Sequence, residues 1–147
     1  MLGNSFGKNA DVIFISTGRS LPYKDIGDYL IHNGKWIIYS PREKMLGLVA
    51  TAIQTGLFER EAILGGKYTT KPAFDVPEGH KLGIDYAFML YCSNSEKLTT
   101  AKMISGVLGL KEKYLHWKND LDTLREMKVR GEKLPEGFEE IMTRYNF

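Results

Sequence analysis

The first apolar block is Val12-Ile13-Phe14-Ile15, a continuous, largely β-favouring run within residues 11–16. Such a run reads as a buried strand. Thr17-Gly18-Arg19-Ser20 turns the chain, and residues 23–32 place Ile26, Tyr29 and Leu30 on one face of a short helix. Asn33-Gly34 is a turn signal, and residues 35–40 follow as a strand.

The sharpest boundary comes next. Ser40-Pro41-Arg42-Glu43 offers a capping hydroxyl, a proline at the first helical position and a glutamate at the third, which is a capping box with its proline. Leu46, Val49 and Ile53, flanked by Met45 and Ala52, recur at helical spacing until Gly56. Residues 61–64 read as a strand that Gly65-Gly66 breaks or bulges before Lys67-Tyr68. Residues 69–83, with Pro72, Pro77 and few apolar side chains, form a loop long enough to expect a function of it. Residues 84–92 are the most apolar strand, and Ser93-Asn94-Ser95-Glu96 repeats the capping pattern. Leu98, Ala101, Ile104 and Leu108 form the inward stripe of the next helix, which ends at Gly109. Residues 113–118 read as a further strand, and Asp120 caps a helix through Leu121, Leu124 and Met127. Pro135 opens a last amphipathic helix with Phe138, Ile141, Met142 and Tyr145.

From Lys35 to Lys118 the order is strand, helix, strand, long loop, strand, helix, strand. It predicts a single α+β domain, a two-layer sandwich of a mainly antiparallel sheet with its helices on one face. The other face is left for solvent, a ligand or a partner.

Composition narrows the function classes. The 147 residues are 43% hydrophobic, enough for a real core, and 20 basic against 18 acidic residues leave a net charge of only +2. A strongly basic nucleic-acid coat is excluded, while a local basic patch is not. The single cysteine, Cys92, lies in an apolar run and reads as a small buried hydrophobe, with no partner for a disulfide or zinc cage. His32, His80 and His116 are far apart in sequence, so neither a metal site nor a cofactor is expected. No stretch approaches a membrane span, and residues 1–9 lack the apolar core of a secretory signal, so a cytoplasmic location is expected.

Strand alternation puts Tyr114, His116 and Lys118 on one face, opposite Leu115 and Trp117. A histidine and a lysine beside a phenol can bind a phosphate or act as an acid–base pair. The competing reading is a solvated polar face. Lys67 after two glycines, and Arg19 in the first turn, are further cations that could reach a phosphate there.

Several segments, in order, resemble the basophilic leukaemia-expressed protein family. They are Gly34-Lys35-Trp36-Ile37-Ile38-Tyr39, the helix end Thr55-Gly56-Leu57, residues 86–91, and Lys118-Asn119-Asp120 with Thr123. The match spans roughly residues 34–125. Two positions depart from it: the family's small-Lys-Val-Ser strand stands here as residues 61–67, so its lysine matches Lys67 only with a shift, and Asn119 stands where the family has proline. The resemblance implies a fold like that of the cap-binding translation initiation factor, and members carry a phosphothreonine lyase-like label. A lyase of that kind would use a lysine base and a histidine acid, here Lys118 and His116. In the cap-binding fold two tryptophans sandwich a base, which directs attention to Trp36 and Trp117, although both fall within predicted strands. Lys35 and Lys118 point away from those rings. The expected function is binding of a phosphorylated small molecule, a nucleotide or RNA on a basic, aromatic sheet face. Arg19, Trp36, Lys67 and Tyr114 are its candidate binding residues. The alternatives are a phosphate-eliminating enzyme using His116 and Lys118, or a protein-interaction adaptor.

Overall fold

The computed structural model describes residues 11–132 together with Glu140 and Thr143. The chain runs β1 (Val12–Ile15), α1 (Ile26–His32), β2 (Asn33–Pro41), α2 (Arg42–Gln54), β3 (Gly65–Thr69) and β4 (Asp85–Ser93). It continues through α3 (Lys97–Leu108), β5 (His116–Asn119) and α4 (Asp120–Val129). The helix expected after Pro135 lies outside the described residues.

The five strands form one sheet in the order β1-β3-β4-β2-β5, with every neighbouring pair antiparallel. β2 and β3 therefore run parallel with β4 between them, and β4 and β5 run parallel with β2 between them. The two β-α-β units interlock about a pseudo-two-fold axis normal to the sheet, which keeps α2 and α3 on the same face. This is the expected α+β sandwich.

That face holds the main core. Trp36, Ile38, Phe88, Leu90 and Cys92 from β2 and β4 meet Met45, Val49 and Ala52 of α2, with Ala101, Ile104 and Leu108 of α3. Burying one such large apolar side chain contributes about 1.5–3 kcal/mol. The stripe on α2 is the one expected as a flank: Ile53, one residue past buried Ala52, turns about 100° away and is 56% exposed. Leu98 of α3 likewise faces solvent. At α1, Tyr29 and Leu30 are buried as expected, while the side chain of Ile26 lies outside the described set. Cys92 is fully buried, and burial pushes its thiol pKa up to about 12.

Several boundaries differ from the sequence pattern, each for a tertiary reason. Asn33-Gly34 makes no turn; β2 starts directly at Asn33. The Asn33 amide donates to the Tyr29 carbonyl at 2.7 Å and its oxygen accepts from the Tyr23 hydroxyl at 3.0 Å, so it ends α1 instead. The strand expected at 61–64 begins only at Gly65. Gly66 lies inside it because a Cβ there would stand 2.7 Å from the Phe58 ring and 2.9 Å from the Met89 carbonyl. Neither serine caps its helix: α2 begins after Pro41 and α3 after Glu96, without side-chain caps. Residues 112–114 form a 3-10 turn, so β5 starts at His116 rather than at 113. No helix among the described residues is long and apolar enough to cross a membrane.

The opposite sheet face is not bare. β2 presents Lys35, Ile37 and Tyr39 there, β4 presents Ala87, Met89 and Tyr91, β3 presents Lys67, and β5 presents His116 and Lys118. α4 covers its β2–β5 side and packs against α1, while residues 70–84 fold over the other end.

Candidate functional site

Between α4, the 70–84 loop and this second face lies a cavity of about 350 Å³. Its apolar lining includes Val12, Ile37, Ala87 and Met89, and five cations reach it: Lys35, Lys67, Lys71, Lys118 and Arg130. Three carboxylates, Asp11, Asp75 and Glu126, also line it. The register explains the convergence. Lys67, Met89, Ile37 and His116 occupy one row across four strands, and Tyr91, Lys35 and Lys118 occupy the next. Antiparallel pairing puts side chains of one row on the same face.

The lysines differ in their partners. Lys35 is buried, and its ammonium donates to the Asp120 carboxylate at 3.1 Å and to the Thr123 hydroxyl at 2.7 Å. It also lies over the Tyr91 ring, 5.6 Å from the centroid. Lys118 bridges two covering elements: it pairs with Asp75 of the loop at 3.2 Å and with Glu126 of α4. Lys71 pairs with Asp11 at 3.3 Å. Lys67 is different. Among the described residues no carboxylate lies within ion-pair distance of it, and its ammonium rests 5.7 Å from the Phe14 ring centroid. Burial pushes its pKa down to about 8; the Lys35 charge and, more weakly, that of Lys118 push the same way, and Asp120 opposes them. An unpaired amine among other cations is a site that an anion would complete.

A second cluster borders the cavity. The Tyr39 ring, which lines it, packs against His80 at 5.3 Å and His116 at 5.5 Å, and the two imidazoles stand 5.3 Å apart. His80 Nδ1 is 3.2 Å from the Asp85 carboxylate, which also accepts the Lys81 backbone N–H at 3.0 Å. His116 Nε2 is buried without a partner among the described residues. Burial first, and the neighbouring His80 second, lower the His116 pKa. Burial, aided by Asp75 and Glu126, pushes the Tyr39 phenol up to about 12.

The structure thus brings Lys67 and Lys118 to one cavity, with His116 beside it. Arg19, Trp36 and Tyr114 are elsewhere. Arg19 donates to the backbone carbonyls of Phe58 at 3.2 Å, Arg60 at 3.1 Å and Ile63, so it clamps the chain between α2 and β3. Trp36 is in the core on the helix face, where its indole N–H donates to the Lys97 carbonyl at 2.9 Å. It packs edge-on against Trp117 with centroids 5.1 Å apart and rings 61° inclined, so the pair cannot sandwich a base between parallel rings. Tyr114 is half exposed on the 3-10 turn before β5, its ring against Lys113. It does not share the face of His116 and Lys118 because β5 starts two residues after it.

Sequence inspection missed Lys35, Tyr39, His80 and Asp85. A lysine inside the apolar strand 35–40, on the face opposite Trp36, was the available signal: such a position demands a partner on that face. Nothing local connects His80 with His116. None of the known protein-family models matches this chain, and neither does any curated protein.

Proposed function

We propose that this protein binds a small phosphorylated ligand in the cavity on the second sheet face. The observation that carries the reading is Lys67, partly buried and without a carboxylate partner among the described residues, within reach of a cavity that Lys35 and Lys118 also line. A phosphate would supply the missing counter-charge through charge-assisted hydrogen bonds, and the apolar floor of Ile37, Ala87 and Met89 would carry the rest of the ligand. A mononucleotide suits the covered volume better than a run of RNA, which needs an open basic groove. Titration calorimetry of the full chain with pyrophosphate and AMP tests this. Salt-sensitive binding that weakens about tenfold in Lys67→Gln is expected. Equal affinity in that variant, or no binding of either compound, would overturn the reading.

The family resemblance supports the same site. Lys35 and Lys118, two residues that carry it, line the cavity, and Asp120 and Thr123, which also carry it, hold Lys35. Membership of that family, the cap-binding initiation factor-like fold and a cytoplasmic location belong to the proposal. The five-stranded antiparallel sheet with α2 and α3 on one face is consistent with that fold. Cap-type stacking on Trp36 is not part of it.

One observation favours a second reading, a phosphate-eliminating enzyme: the Asp85–His80 pair and His116 stand behind Tyr39 at the cavity wall. Release of inorganic phosphate from a phosphothreonine peptide, lost in His116→Asn, would support it. Intact peptide after prolonged incubation would exclude it.

A further inference from the structure

Lys67 is a counter-charge for a phosphate only in its protonated form, and the same setting also supplies a neutral amine. It projects from β3 into the cavity over Met89 and beside Phe14, while the ion pairs at the cavity engage Lys35, Lys71 and Lys118. Arg130 pairs with Glu132, so among the described residues four of the five cations have carboxylate partners and Lys67, on an apolar floor, has none. We propose that Lys67 is a reactive amine that forms an imine with an aldehyde or ketone bearing an anionic group, the neighbouring cations holding that group. This rests on the anion-binding reading and specifies the ligand class as phosphorylated carbonyl compounds.

The step is balanced without any co-reactant. The nitrogen lone pair of neutral Lys67 attacks the carbonyl carbon, and the C=O π pair moves to oxygen to give a carbinolamine. The nitrogen loses a proton, the hydroxyl gains one through solvent at the cavity mouth, and water leaves as the C=N bond forms. Nothing is oxidised or reduced. Imine formation needs the neutral amine, and desolvation next to another cation is the arrangement that supplies it. With its pKa near 8, about a fifth of Lys67 is neutral at pH 7.4, against about a thousandth for an ordinary lysine. Lower basicity weakens the nucleophile and offsets part of this gain, as it does for thiols, leaving about tenfold in rate.

Pyridoxal 5′-phosphate, an aldehyde with a phosphate, is the probe; pyridoxine 5′-phosphate, which lacks the carbonyl, is its non-reacting counterpart. Wild-type protein is incubated with the aldehyde, reduced with borohydride and mapped by peptide mass spectrometry. Labelling of Lys67 about tenfold faster than any other lysine is expected, with a rate that climbs as pH rises through about 8. Excess pyridoxine 5′-phosphate should slow it, and Lys67→Arg should remove the adduct. Equal labelling of many lysines overturns the inference. So does an unlabelled Lys67 in a protein that binds pyridoxine 5′-phosphate, and in that case the anion-binding reading stands. Failure of both compounds to bind overturns both.

Discussion

Lys35 of β2 and Asp120 at the start of α4 form an ion pair 3.1 Å long, and each side chain is nearly dry, at 5% and 6% exposure. They stand 85 positions apart, so the pair ties α4 to an interior strand of the sheet. Removing one partner of a buried pair leaves an uncompensated charge, which costs about 3–5 kcal/mol. Lys35→Met alone is expected to lose that much, because the second Asp120 oxygen already lacks a partner among the described residues. Lys35→Met with Asp120→Asn should lose clearly less than the sum of the single changes. Denaturant titration of the four proteins measures this, and strictly additive losses would contradict the coupling.

Gly34 is expected to tolerate no side chain. A Cβ there would lie 2.5 Å from the Trp117 ring and 2.7 Å from the Lys118 carbonyl oxygen. Gly34→Ala should cost about 1–3 kcal/mol as an overpacked position. Trimming Trp117 as well should not restore stability, since the backbone carbonyl stays in place. A thermal melt of Gly34→Ala within a degree of wild type would refute this.

Lys67 should weaken the fold below pH 8. Its folded pKa is about 8, while an unfolded lysine titrates near 10.4. Between those values the unfolded chain binds more protons, so stability rises with pH there; below about 8 the full penalty is present. Lys67→Met is therefore expected to be more stable than wild type at pH 7, by on the order of 1 kcal/mol once partial exposure is discounted. The advantage should shrink as pH climbs from 8 towards 10. Urea midpoints at pH 7 and pH 10 test the sign, and a gap that widens with pH would show it to be wrong.

Arg19 and Trp36 should affect stability and leave ligand binding alone. Arg19→Ala strips three backbone carbonyls of their guanidinium donor, a loss of about 1–3 kcal/mol. Trp36→Phe opens space in the core and removes the indole hydrogen bond to the Lys97 carbonyl. Under conditions where both variants remain folded, pyrophosphate affinity should match wild type. A tenfold drop in either would put that residue in the site.

What the sequence determined by itself was local. Continuous apolar runs named the strands, a 3.6-residue stripe named the helices, and the repeated strand-helix-strand order defined an α+β sandwich with α2 and α3 together. Period-two alternation was enough to put His116 and Lys118 on one face, because parity along a strand is a property of neighbours in the chain. It failed at Tyr114, where alternation was extended into a turn, and the capping pattern failed at Ser40 and Ser93, which stand near the ends of β2 and β4. Only the tertiary structure decided which strands are adjacent, and hence that Lys35, Lys67 and Lys118 reach one cavity. The same holds for His80 meeting His116, for the electrostatic setting of Lys67, and for Arg19 being spent on backbone carbonyls. Those contacts join residues tens of positions apart, and their energies depend on burial and on partners that no local pattern contains.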